Sequence, residues 1–270
     1  MNRNCSISLC WGFAALLGCS AMAVAQPLSS FAVLGGSTVT NTGSTIVTGN
    51  LGVSPGSAVT GFPPGIVVGG TIHSADSVAA QAQNELTAAY NSLANASCSA
   101  DLTGQDLGGK TLTPGVYCFA SSAQLTGTLI LDGQGSSSAV FIFKVGSSLT
   151  TASGSSVLLT NGASSCGVYW QVGSSATLGT GTALAGSIAA LTSITLNTGA
   201  NLTGRALARN GAVTLDGNQV TACSNGGSGF LPPVVVVPTL SGWGMIVLTG
   251  LLALFGLAIM RRRVGTRSVR

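Results

Sequence analysis

The 270-residue sequence predicts a mainly β chain, wound as a β-solenoid of parallel strands with one long α-helix packed alongside. Three observations carry this expectation. Charged residues make up only 6% of the chain, against about 25% in ordinary soluble proteins, while Gly reaches 39. Apolar residues alternate with Ser, Thr and Asn along most of the length, which is the period of strands and not of a helical membrane bundle. Thr-Leu recurs at Thr177-Leu178, Thr195-Leu196 and Thr214-Leu215, a spacing close to one coil of a solenoid.

The chain begins with a secretory signal at residues 1–25. Arg3 precedes an apolar run around Trp11 to Leu17, and Ala23-Val24-Ala25 forms a small-residue cleavage site. Leu16-Leu17-Gly18-Cys19 also resembles a lipoprotein box, so two modes of cleavage stay open. The solenoid domain follows over residues 27–223. Its first stretch, "STVTNTGSTIVTGNLGVSPGSAVTGFPPG", has strand texture without a clean period. Residues 75–95 then break the pattern: Val78, Ala82, Leu86, Ala89 and Leu93 fall at helical spacing, with Ser74 or Asp76 as N-cap. The apolar stripe has to be buried, and the side of the solenoid is the nearest surface. "GGKTLTPGVYCF" returns the chain to strands.

The repeat is clearest after residue 140. Val145-Gly146-Ser147-Ser148 lies over Val172-Gly173-Ser174-Ser175, and shorter coils follow at Ala176, Ile194 and Val213. Strand alternation turns Ala176, Leu178, Ile194, Leu196, Val213 and Leu215 inward. It turns Thr177, Thr195 and Thr214 outward, preceded two positions earlier by Ser175, Ser193 and Ala212; Ser148 and Thr150 extend the array into an earlier coil. The expected product is a ladder of short hydroxyl side chains, with rungs about 4.8 Å apart. Strand propensity alone explains abundant Thr, but not a column without Lys, Glu or Arg. Asp216, beside Thr214, interrupts it.

Residues 224–242 form a Gly/Pro/Val linker and residues 243–263 an apolar segment closed by Arg261, Arg262 and Arg263, near the lower length limit of a transmembrane helix. Arginines at that end keep residues 264–270 cytoplasmic and the body outside the inner membrane. Val237-Pro238-Thr239-Leu240-Ser241, Trp243-Gly244, the apolar segment and the Arg cluster resemble the IPTL-CTERM sorting signal. That resemblance implies recognition by a sorting enzyme in the inner membrane and delivery to the cell surface.

Without the two ends, the body keeps Lys110, Lys144, Arg205 and Arg209 against six acids, so its net charge is −2 and no nucleic-acid surface is implied. Cys98, Cys118, Cys166 and Cys223 are expected to pair in an oxidising compartment. Neighbour pairing gives Cys98–Cys118 and Cys166–Cys223, one of three connectivities that four cysteines allow. A metal site is disfavoured because no C-x-x-C spacing or companion His is present. Enzyme chemistry is equally unsupported, and no cofactor is called for. Asp76, Glu85, Asp101, Asp106, Asp132 and Asp216 are scattered, and His73, the sole histidine, lies at the helix entrance. "GQGSSS" at Gly133 lacks the Lys of a phosphate-binding loop.

From Phe31 to Cys223 the order of segments "GNLGVSPGSAVTGF", "ADSVAAQAQNELTAAYN", "LGGKTLTPGVYCF", "VYWQVGSSATLGTGTALAGSIAA" and "TLNTGANLTGRALARNGAVTLD" resembles the microbial ice-binding proteins. The resemblance implies a discontinuous right-handed solenoid in which the N-terminal segment completes some coils, with separate signal and transmembrane helices at the ends. It also implies adsorption to ice through a flat face of Thr, Ser, Ala and Asn. The family's T-[A/G]-x-[T/N] pattern falls on Thr42 to Thr45 and on Thr198 to Asn201. The expected ice-binding set is therefore Ser148, Thr150, Ser175, Thr177, Ser193, Thr195, Thr214, Thr42, Thr45, Thr198 and Asn201. The expected protein is a monomeric body, displayed at the cell surface or secreted, whose partner is the ice crystal. The alternative is a surface or matrix scaffold that uses the same fold without affinity for ice.

Overall fold

The structure is a computed structural model that describes residues 28–223. Expectations for the signal peptide, linker, sorting motif and transmembrane helix lie outside those residues. Among the described residues no helix is long and apolar enough to cross a membrane.

Among the described residues every strand pairing is parallel, and the strands form three sheets of nine, seven and eight members. Each full coil lays one short strand in each sheet, with turns at three corners. The coil order is not the sequence order. Strands from Gly115 to Thr221 stack in succession, and the coil that contains Ala206–Ala208, Val213–Asp216 and Gln219–Thr221 then meets the N-terminal segment. Val33 pairs with Ala206, Val39 with Val213 and Ile46 with Gln219, so residues 31–48 supply the next coil and residues 50–68 the one after. The solenoid is discontinuous, and its seam is closed by the same parallel bonding as the steps within each part, with one register shift beyond it between Phe31 and Val33.

Helix α1 (Ser77–Ala94) is the return path that permits this order, because the last strand of the N-terminal segment and the first strand of the opposite end must be joined. At 1.5 Å per residue, its 18 residues cover about 27 Å of that distance. Asp76, one of the two expected caps, accepts a hydrogen bond from the Ala79 N–H at 2.8 Å. His73 bridges the entrance, with Nδ1 2.8 Å from Asp76 and Nε2 2.8 Å from the Thr71 hydroxyl. The expected stripe is buried at Ala82, Leu86, Ala89 and Leu93, joined by Tyr90. It packs on the outer side of the nine-stranded sheet, against Phe31, Leu34, Ile142, Tyr169, Ala189 and Leu207.

Inside the solenoid, the coils repeat their apolar residues in register. Ala176, Leu178, Ile194, Leu196, Val213 and Leu215 are all buried, as alternation requires. Tyr117, Phe143 and Trp170 occupy one register column, and the Phe143 and Trp170 rings stack at 4.0 Å. The Trp170 indole N–H donates to the Ala185 carbonyl, so the largest core side chain carries no unsatisfied donor. The disulfides join neighbours: Cys98–Cys118 ties the end of α1 to the sheet, and Cys166–Cys223 ties the end of the last strand to an earlier coil.

Two tests follow from the helix. Leu86→Ala should lower unfolding stability by about 2–5 kcal/mol in urea titrations, since the cavity forms against a rigid sheet. Burial opposes the charge of Asp76, but hydrogen bonds from the Ala79 N–H and His73, with the His73 charge and the Val78 N–H, outweigh it and hold the carboxyl below its usual range. A lowered folded value stabilises the fold above the unfolded pKa and loses that effect as pH falls through the folded one. Asp76→Ala should therefore cost about 1 kcal/mol at neutral pH, and the difference from wild type should vanish in acid.

Candidate functional site: an uncharged threonine ladder

The seven-stranded sheet carries the array. Its strands, in spatial order, are Ala123–Leu125, Leu149–Thr151, Ala176–Leu178, Ile194–Leu196, Val213–Asp216, Thr38–Thr42 and Ala58–Thr60. In four of them (Ala123–Leu125, Ala176–Leu178, Ile194–Leu196 and Val213–Asp216) two apolar residues turn to the core and the residue between them turns out. Thr150 and Thr40 each stand between one apolar residue and a buried polar one, Thr151 and Asn41, and Thr60 follows the inward Val59. The register places Gln124 beside Thr150, then Thr177, Thr195, Thr214, Thr40 and Thr60. Six threonines thus stand in consecutive rungs, a column about 24 Å long at sheet spacing. Thr150, Thr214 and Thr60 are exposed, and Thr177, Thr195 and Thr40 are half-buried among their neighbours. Because α1 packs on a different sheet, it does not cover this one.

The β-branched stem fixes why threonine suits the position. Its χ1 is stiff, so each rung presents a methyl and a hydroxyl with little rotamer freedom to lose. The Thr40 and Thr214 hydroxyls approach to 3.4 Å across the seam between the N-terminal and C-terminal coils.

The flanking serines differ from expectation in what their hydroxyls do. Ser175 Oγ accepts from the Ser193 N–H at 3.3 Å, and Ser193 Oγ accepts from the Ala212 N–H at 3.2 Å. Both are half-buried, as is Ser148, and they stitch successive coils beside the column.

The T-[A/G]-x-[T/N] segments prove to be corners. Each turns the chain from the threonine sheet into the eight-stranded sheet, and Gly43 and Gly199 take φ of 76° and 69°, a conformation that a side chain would strain. Thr42 and Thr198 are exposed on the rim of the ladder. Asn201 belongs to the neighbouring sheet, where its Oδ1 accepts from the Gln219 N–H at 2.8 Å. Thr45 is a correction: it is fully buried, and its hydroxyl accepts from the Asn218 N–H at 3.1 Å, so it cannot touch anything outside the solenoid. The corner at Thr198 turns its third residue, Ala200, inward, whereas the corner at Thr42 leaves its third residue, Ser44, exposed and turns its fourth, Thr45, inward.

Asp216 occupies the same rim. Its carboxylate accepts hydrogen bonds from the hydroxyls of Thr42, at 3.0 Å, and Thr198. The interruption seen in the sequence is thereby tied into the corner, with its lone pairs directed at protein donors. At the opposite end, burial opposes the charge of Asp106, but N–H groups of Gly108 and Thr126 hold its carboxyl low; Thr126 follows directly on the first rung.

Thr40, Thr60 and Thr38 were missed in the sequence. The signal was present in the strict alternation of Thr38-Val39-Thr40-Asn41-Thr42, but its place in the ladder depends on a seam that local pattern does not reveal. Among the described residues no three His, Cys, Asp or Glu side chains cluster as a metal site would require.

Known proteins share this arrangement of segments. The model of the ice-binding-like family matches residues 33–221, and that of the IPTL-CTERM motif matches residues 237–263. The chain is 62% identical over 197 residues to an ice-binding protein of Nostoc sp. (strain HG1), covering 72% of each. It is 37% identical over 225 residues to ice-binding protein 1 of Shewanella frigidimarina (strain NCIMB 400); that match covers 72% of this chain and 25% of the longer relative. Among solved structures, an ice-binding protein from an Antarctic biological consortium is 49% identical with a TM-score of 0.69, over 72% of this chain and 87% of the other. One from the Antarctic ascomycete Antarctomyces psychrotrophicus is 40% identical with a TM-score of 0.71, over 73% and 97%. On the span of the family match and the identity to its relatives, the chain belongs to the ice-binding-like family.

Proposed function

We propose that the protein adsorbs to ice through the threonine ladder of the seven-stranded sheet. The observation that carries this reading is the unbroken register of Thr150, Thr177, Thr195, Thr214, Thr40 and Thr60. Sheet spacing is close to an oxygen repeat in ice, so water held by the hydroxyls and water caged over the methyls can merge into one lattice. Each contact is worth only a fraction of a kcal/mol after the loss of bonds to liquid water. Adsorption therefore needs many contacts on one rigid surface, and the column provides them.

The absence of Lys, Glu and Arg from the rungs fits the same mechanism, since an ion holds a hydration shell incompatible with the lattice. Ser148, Ser175 and Ser193 fill the flank of the column, and Thr42 and Thr198 extend its rim. The identity with the Nostoc ice-binding protein supports the ligand, and the IPTL-CTERM match supports export and display at the cell surface. In that setting the protein holds the cell to ice or limits recrystallisation beside it, with a monomeric body joined to the inner membrane through residues 243–263 until the sorting enzyme acts.

Thr177→Lys and Thr195→Lys should each raise the concentration needed for recrystallisation inhibition by about tenfold or more, the effect of losing roughly 1.4 kcal/mol. Circular dichroism should stay unchanged, because both side chains point away from the core. Thr203→Lys, on the eight-stranded sheet, should leave inhibition intact. Equal loss from all three variants would move the site off this sheet, and inactivity of the wild type would favour a scaffold.

A further inference from the structure

Arg205 is a buried cation with no carboxylate beside it. Only 6% of the residue is exposed, yet all five of its N–H groups have acceptors. Nε and Nη2 donate to the Ser29 carbonyl at 3.2 and 2.8 Å, and Nη2 also donates to the Cys223 carbonyl at 2.9 Å. Nη1 faces the Ser187 hydroxyl at 3.4 Å and Cys223 Sγ at 3.1 Å. Every acceptor is neutral. Burial pushes the guanidinium pKa down, and the nearby Tyr169 phenol opposes that shift. Burial pushes the phenol's own pKa up, so Tyr169 supplies no counter-charge near neutral pH. A buried charge without a counter-ion is costly, and the group best placed to become one is the Cys223 sulfur.

The two sulfurs of this disulfide are not equivalent. Cys166 is half-buried in the short 3-10 turn Ser165–Gly167, whereas Cys223 is 9% exposed and lies against the guanidinium. We propose that Cys166–Cys223 is a directional thiol-exchange site, which takes an incoming thiol on Cys166 and releases Cys223 as a thiolate held by Arg205. An external thiolate attacks Cys166 Sγ, a new sulfur–sulfur bond forms there, and the old bond breaks. Its electron pair leaves on Cys223 Sγ. One disulfide replaces another, so no oxidant or reductant is consumed and no proton has to move. Exchange runs faster when the leaving sulfur is better stabilised as an anion, which Arg205 accomplishes at Cys223 alone. The site stands two residues past the last described strand, Gln219–Thr221, so exchange would join the body covalently to an external thiol while Arg205 holds the end of that strand in place.

The test uses the full chain, purified in detergent with its disulfides formed, and glutathione as the thiol. After brief exposure, free thiols are trapped with a maleimide and the two positions are read by peptide mass spectrometry. Glutathione on Cys166 with maleimide on Cys223 should exceed the reverse arrangement by about tenfold. An equal or reversed distribution in the wild type would overturn the proposal, whatever the variants do. In folded Arg205→Gln the bias should fall towards equality, and Arg205→Lys should retain part of it. An undiminished bias in folded Arg205→Gln would also overturn it, by assigning the direction to exposure alone.

Discussion

Parallel, in-register stacking of short coils is the constraint on which the rest of this molecule depends. Once each coil hydrogen-bonds to the next residue by residue, any side chain placed outward at one position recurs along the axis at the strand spacing. The same condition aligns Tyr117, Phe143 and Trp170 inside the solenoid and the threonines outside it. Core and candidate site are two faces of one periodicity. A substitution that shifted the register of a strand would exchange the two.

The stacking also explains how a chain can be threaded out of order. A parallel edge accepts any segment with matching strands, so the N-terminal coils close onto the strands that end at Asp216 and Thr221 as readily as a continuous chain would. What the discontinuity requires is a connector back to the other end and a clasp at the seam. Helix α1 supplies the first, with its Ala and Leu stripe seated on the nine-stranded sheet. Arg205 supplies the second by donating to Ser29 on the N-terminal side and to Cys223 on the C-terminal side.

Much of this was legible in the sequence because the coils between residues 140 and 221 are short, regular and local. Alternation alone assigned the inward side of Ile194 and Leu215 and the outward side of Thr177 and Thr195. The helix was readable from its stripe, and the cap from Asp76. The N-terminal rungs were not, since Thr40 and Thr60 pair with each other but join the ladder only through the Thr40–Thr214 pairing across the seam, and a pairing between residues more than 150 positions apart leaves no local period. Thr45 was misplaced for a different reason. A four-residue motif whose polar side chains suggest an exposed strand is a corner, and backbone conformation, not residue type, sets which of its residues face the rim and which the core. The N–H partners of Ser175 and Ser193 and the hydroxyl partners of Asp216 were equally hidden, because hydrogen bonds to the next coil depend on register.

Two parts of the chain that are distant in sequence form one continuous ladder. Adsorption of labelled Thr40→Lys protein to a growing ice crystal measures that continuity directly, because Thr40 lies on the N-terminal side of the seam and faces Thr214 across it. The variant should keep its fold and lose incorporation into ice. Undiminished incorporation of a correctly folded Thr40→Lys protein would contradict a ladder that runs through the seam.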